Sequence, residues 1–277
     1  MKKGIFNYLD RPSPINRLTG ATKLSCLLLW SFAAMITFDT RLLAAMTVMA
    51  FSLFFVSKIK YSDVKAIFWF TFVFMVLNNV LIFLFAPEHG VGIYGTRHLI
   101  CKLFLNYNLI QEQLFYQLNV VLKYLSTIPI VILFVSTTDP SEFASSLNRI
   151  GVSYKIAYSV SLALRYIPDI QREYHDISIS QQARGLEMAS RKQSFAKRLK
   201  NAVAMLFPLI ISSMDRIEII SNAMELRGFG KNKKRSWYSA RPFKTGDYVS
   251  VIICVLFFAA SVFLNFLNGG RYFNPFI

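Results

Sequence analysis

The chain has 277 residues, 54% hydrophobic and 15% aromatic but only 17% charged, with a mean hydropathy of +0.42. That composition excludes an ordinary soluble domain and points to membrane spans. A net charge of +16 would suit nucleic acid, but no module of that kind accompanies it, so the charge is assigned to loops beside an anionic leaflet.

Met1 to Lys23 is basic and broken by Pro12 and Pro14. It lacks the prompt apolar core and small-residue cleavage site of a signal peptide, so it reads as a retained cytoplasmic arm. The first span is placed at Ala21 to Phe38, and a tight turn with Asp39 and Arg41 leads to a second, short span from Leu42 to Val56. Lys58, Lys60 and Lys65 then return the chain to the basic side. A third span, Ala66 to Ala86, is long enough to cross, since about 20 residues cover the hydrocarbon core. Pro87 to Glu112 is the longest outer loop, and its Gly92-Ile93-Tyr94-Gly95-Thr96 run suggests a short hairpin. The fourth span, Leu114 to Val135, carries Asn119 and Lys123, which a lipid-facing helix resists. Lys123 either snorkels to the outer interface or meets another span or a partner.

From Asp139 to Lys244 there are 18 Lys or Arg against nine Asp or Glu. The positive-inside rule therefore keeps this region, the amino terminus and the Lys58 to Lys65 loop on the cytoplasmic side. A fifth span, Tyr248 to Leu267, carries the Gly269 to Ile277 tail outside. The expected plan is an all-α integral membrane protein of about five spans. It divides into a membrane domain (1–138), a cytoplasmic region (139–246), and a last span with its outer tail (247–277).

The cytoplasmic region holds two long helical patterns. Ile156, Val160, Leu164, Ile167, Ile170 and Ile177 recur at helical spacing, as do Leu206, Ile210, Met214, Ile217, Ile220 and Met224. Both read as amphipathic helices packed together. Pro168 and Pro208 fall inside them, and an interior proline usually kinks or breaks a helix, so each pattern is expected to be a short helix bending into a longer one. The first closes with Ala183-Arg184-Gly185 and the second with Leu226-Arg227-Gly228. Two readings stand: Gly as a left-handed cap with Arg on the macrodipole, or a pair of guanidinium tips shaped for acidic pockets.

Catalytic chemistry is nearly absent. His89, His98 and His175 are far apart in sequence, as are Cys26, Cys101 and Cys254, and neither a metal spacing nor a phosphate loop occurs. Asp169, Glu173 and Asp176 beside Arg165 and Arg172 read as a solvated salt-bridge face. Lys231 to Arg235 reads as a juxtamembrane run on anionic headgroups.

The residues carry a family resemblance. The two Arg-Gly endings resemble those of the transmembrane (T) component of energy-coupling factor (ECF) transporters, the family that includes the cobalt-transport permease. That family ends two coupling helices in Ala-Arg-Gly. Ala183-Arg184-Gly185 matches fully, whereas Leu226 replaces the usual Ala before Arg227 and Gly228, with Phe229 and Gly230 following. Ser13-Pro14-Ile15-Asn16-Arg17-Leu18 with Thr22-Lys23-Leu24 resembles the amino-terminal signature, with Asn16 in place of the usual His. Thr137-Thr138-Asp139-Pro140 resembles the exit from the fourth span, and Arg165-Tyr166-Ile167-Pro168 the start of the long coupling helix. The likeness runs from about Tyr8 to Leu267.

The resemblance implies a non-enzymatic scaffold in the cell membrane. Two cytoplasmic ATP-binding subunits would receive the tips Ala183, Arg184, Gly185 and Leu226, Arg227, Gly228, and a substrate-binding membrane subunit would carry the vitamin or transition metal. ATP and Mg would sit on the ATPases, with no cofactor in this chain and no nucleic acid as partner. The alternative is a permease of a conventional ATP-driven importer whose own spans form the substrate path. It would need polar residues along several spans, and only Lys123, Asn119 and the Asn78-Asn79 pair qualify.

Overall fold

A computed structural model of the chain describes residues 13–102, 108–185, 195–232, 236–238 and 240–276. The start of the amino-terminal arm, the middle of the loop expected outside and the Lys233–Arg235 part of the basic run lie outside the described residues.

Helices dominate the described residues. A 3-10 turn at Ile15–Arg17 leads into α1 (Gly20–Ile36), α2 (Thr40–Val56) and α3 (Tyr61–Phe85). After α4 (His89–Tyr94), a hairpin of β1 (Leu99–Lys102) and β2 (Asn108–Ile110) precedes α5 (Gln111–Thr137). Then come α6 (Pro140–Arg149), α7 (Tyr154–Ala183), α8 (Phe195–Leu226) and α9 (Thr245–Leu267). α3, α5 and α9 are long and apolar enough to cross a membrane, and α1 and α2 are shorter apolar helices. The chain is thus an all-α membrane protein. α1–α5 with α9 form one compact unit, and α6–α8 form another.

In the first unit, α2 packs on α5 and α1 packs on α9. Small residues allow the close approach: Ala33, Ala34 and Ala50 are buried with Trp30, Met46 and Ile130. The Trp30 indole still needs an acceptor in an apolar interior, and donates to the Ser126 carbonyl at 3.0 Å. Caps follow the sequence: the Thr19 and Asp39 side chains accept N–H bonds at the starts of α1 and α2. Asn119 is fully buried, accepting from the Thr40 hydroxyl at 2.7 Å and donating to the Phe115 carbonyl. Lys123 meets another span, donating to the Met35 carbonyl at 3.2 Å.

Signature stretches far apart in sequence meet at the amino-terminal end of α1. Lys23 is buried and donates to the Thr137 carbonyl at 2.7 Å. Asp247, in the first turn of α9, accepts from the backbone of Thr19 at 2.8 Å and of Lys244 at 2.7 Å. Arg241 donates to the Asn16 carbonyl. The motif Ser13 to Leu24 is therefore a knot tying α1, α5 and α9.

Two expectations change. The Gly92-to-Thr96 run is not the hairpin: Gly92, Ile93 and Tyr94 finish α4, and Gly95 ends it in the left-handed region. Tyr94 is buried against Phe115 and Phe276, so burial of that ring selects the helix and the hairpin forms further on, with Leu99 opposite Ile110. Nor do Pro168 and Pro208 break their helices, since α7 and α8 run continuously through them. Each proline withholds one N–H from the carbonyl four residues earlier, a loss a helix of 30 or 32 residues tolerates.

Candidate functional site

The second unit is built around α7 and α8. Ser153 caps α7, accepting from the Ile156 N–H, and α6 packs against it. At its far end Arg184 is the last residue with near-helical backbone, and Gly185 turns out at φ +87° with its N–H on the Gln182 carbonyl at 2.9 Å. α8 closes the same way: Gly228 stands at φ +65°, donating to the Glu225 carbonyl, while the Phe229 N–H reaches back to Met224. That six-to-one and five-to-two pair is a Schellman motif, which glycine enters without a Cβ penalty. Both glycines thus act as caps, and their caps hold Arg184 and Arg227 exposed at the helix ends. Ala183 is exposed beside Arg184, and Leu226 is 89% exposed beside Arg227.

Among the described residues the two helices are joined near the end of α8 and again midway. Phe229 packs between the Tyr154 and Tyr158 rings at 5.1 and 4.9 Å, and the Gly230 N–H donates to the Tyr154 hydroxyl at 3.0 Å. This pins the end of α8 to the start of α7, so the helices run in opposite senses. Midway, Arg216 Nη2 donates to Glu173 Oε2 at 2.7 Å, and the Ser212 hydroxyl donates to Glu173 Oε1. From this crossing each arginine lies eleven residues onward, about 16 Å at 1.5 Å per residue. The tips therefore project in opposite directions on arms of equal length.

Two readings are corrected here. Glu173 is not part of a solvated face: Arg172 and Asp169 form the exposed pair at 3.7 Å, while Glu173 crosses to the other helix. The apolar patterns are not mainly packing between α7 and α8 either. Ile156, Ile167 and Ile170 on α7, and Leu206, Ile210, Met214 and Ile217 on α8, are exposed. Much of both apolar stripes therefore stays exposed.

Sequence reasoning missed three contributors. Phe229 is read from the sequence only as part of the family pattern, and its clasp with Tyr154 at the α8 end is not foreseen. Asp247 could have been found as an acid in the first turn of a helix. Cys26 and Cys254, remote in sequence, come together between α1 and α9. Among the described residues no group of three His, Cys, Asp or Glu side chains could hold a metal ion.

The fold and this site define a class: a helical membrane protein carrying an antiparallel pair of long amphipathic helices with capped arginine ends. The chain belongs to the cobalt transport protein family CbiQ, whose model matches residues 11–237. Similar proteins include the energy-coupling factor transporter transmembrane protein EcfT of Bacillus selenitireducens, 27% identical over 96% of this chain and 98% of that protein. The EcfT of Bacillus subtilis is 24% identical over 94% and 96%. That of Limosilactobacillus fermentum is 33% identical over 47% of this chain, and there the match spans only about half, 52%, of the relative's length.

Proposed function

We propose that the chain is the transmembrane component of an ECF-type importer of vitamins or transition-metal ions, joining two cytoplasmic ATP-binding subunits to a substrate-binding membrane subunit. The observation that carries this reading is the pair of exposed, glycine-capped arginines on equal arms about the Glu173–Arg216 crossing. The match to EcfT proteins along nearly the whole chain supports it. Each guanidinium would enter an acidic groove on one ATPase, where a charge-assisted pair with a carboxylate is strong and directional. The exposed apolar residues around the tips would pack on the same partners. ATP and Mg²⁺ would act on the ATPases, this chain supplying no catalytic group. Movement of the ATPases would reach the membrane spans through α7 and α8 and tilt the substrate-binding subunit. A substrate path through this chain itself is disfavoured, because polar span side chains are spent on bonds between and within helices: Asn119 with Thr40 and Phe115, Asn79 with the Met75 carbonyl, and Gln117 with the Asn79 carbonyl.

The test is co-purification of the ATPases with tip variants, alongside uptake and the thermal stability of the membrane protein. Truncating one partner of a buried charge pair costs about 2–5 kcal/mol, roughly 30-fold or more in binding. Arg184→Glu and Arg227→Glu each impair recruitment and uptake without unfolding the chain, and the double variant loses the ATPases almost completely. A mere capping role makes a different forecast: Gly185→Ala and Gly228→Ala, at about 1–2 kcal/mol each through left-handed strain, would then hurt stability more than the arginine changes hurt assembly. Normal recruitment with both arginines reversed would reduce the tips to helix ends.

A further inference from the structure

The carboxyl end of α1 gathers two cations from distant parts of the chain. Lys123 Nζ, from α5, donates to the Met35 carbonyl at 3.2 Å and lies 3.2 Å from the centroid of the Phe38 ring. Arg271, beyond α9, donates to the same carbonyl at 3.4 Å and stands 5.7 Å from the same ring. Both therefore suit the negative end of the helix dipole. Among the described residues neither forms an ion pair with a carboxylate, whereas the neighbouring Arg41 is held by Asp39 at 3.0 Å.

Position makes the missing anion matter. Lys123 stands on α5, which is long and apolar enough to cross a membrane, and there a cation is costly unless something negative meets it. Directly beside Lys123 a groove of ≈ 450 Å³ opens between α1 and α5, lined by Ser31, Ala34, Val120, Tyr124, Thr127 and Ile128. Below the two cations its lining is mostly apolar, with Ala34, Val120 and Ile128, so an occupant with an anionic head and an apolar tail matches both ends of the groove.

We propose that this is a site for one anionic phospholipid. Its phosphodiester sits between the Lys123 ammonium and the Arg271 guanidinium, and one acyl chain descends the groove past Thr127 and Ile128. The phosphate supplies the negative charge that the two cations lack, and the groove supplies the reason that a lipid, rather than a soluble anion, brings it.

The test uses the full chain purified in mild detergent and offered equal amounts of phosphatidylglycerol and phosphatidylcholine, with retained lipid read by native mass spectrometry. The wild type retains phosphatidylglycerol preferentially. A basic side chain near a membrane surface contributes about fivefold in anionic-lipid binding, so Lys123→Gln and Arg271→Gln each lower retention by about that factor. Lys123→Arg keeps it. Thr127→Phe fills the groove, leaves both cations in place, and also lowers retention. If Lys123→Gln fails to fold, the contrast between Lys123→Arg and Thr127→Phe still decides. Equal retention of the two lipids overturns the proposal, as does a preference that is undiminished in either Gln variant. Loss on removing the cations but not on filling the groove overturns it too, leaving the pair as a cap of α1. So does release of a protein subunit, rather than of lipid, from the assembled complex by Lys123→Glu.

Discussion

If α7 and α8 move as one body, the bond at their crossing has to carry load. Arg216 and Glu173 are 33% and 19% exposed, between a surface pair worth about 0–1 kcal/mol and a sheltered hydrogen bond to a charged group worth about 1.5–3 kcal/mol. Partial solvent screening puts the link at about 1–2 kcal/mol, a factor of roughly 5–30 in an opening equilibrium. Arg216→Gln is therefore expected to speed hydrogen exchange of the amides around Ile170 to Asp176, and of the facing turn around Ser212, by about that factor. Exchange at Trp30 and Ala33, in the core of the spans, stays unchanged. A double-mutant cycle with Glu173→Gln isolates the pair, and the effects of the two changes should fall short of additive by about 1–2 kcal/mol. Under the proposed function, uptake falls in Arg216→Gln while the ATPases still co-purify, because the tips are intact and only the angle between the arms is freed. Unchanged exchange at the crossing, or simple additivity in the cycle, would refute the idea that Glu173 joins the helices.

Two further outcomes are expected. Burial alone would raise the Asp39 carboxyl, but the Arg41 side chain, the Asn268 amide and the Arg41 N–H outweigh it and hold it below the usual carboxylate range. Its contribution is then present at neutral pH and lost as pH falls through its folded value, below about pH 4; in thermal melts from pH 7 to pH 3, Asp39→Asn is less stable at neutral pH and has a flatter acid limb. The asymmetry of basic residues predicts that a reporter fused after Ile277 is reached from outside and one near Lys233 only from inside, and accessibility of both from one side would end the five-span plan.

Much of the protein was legible without coordinates because hydropathy and helical period are local properties of the chain. Continuous apolar runs had to become helices, since a span must satisfy its own backbone hydrogen bonds, and α3, α5 and α9 lie where those runs lie. Gly185 and Gly228 could be read as helix ends because only a left-handed residue closes a Schellman-type turn cheaply, and both adopt positive φ. What required the tertiary structure was partnership across long separations. Nothing local to Glu173 distinguishes a solvated carboxylate from one that crosses to Arg216 and Ser212. Nothing near Lys23 announces that its acceptor is the carbonyl of Thr137, or near Lys123 that it shares Met35 with Arg271. The prolines at 168 and 208 make the same point in reverse: their local preference to break a helix lost to the length of helix on either side. Periodicity marks which residues can face a neighbour, but which neighbour arrives is decided by how helices remote in sequence pack, and that choice turned two arginine-tipped helices into one joined pair.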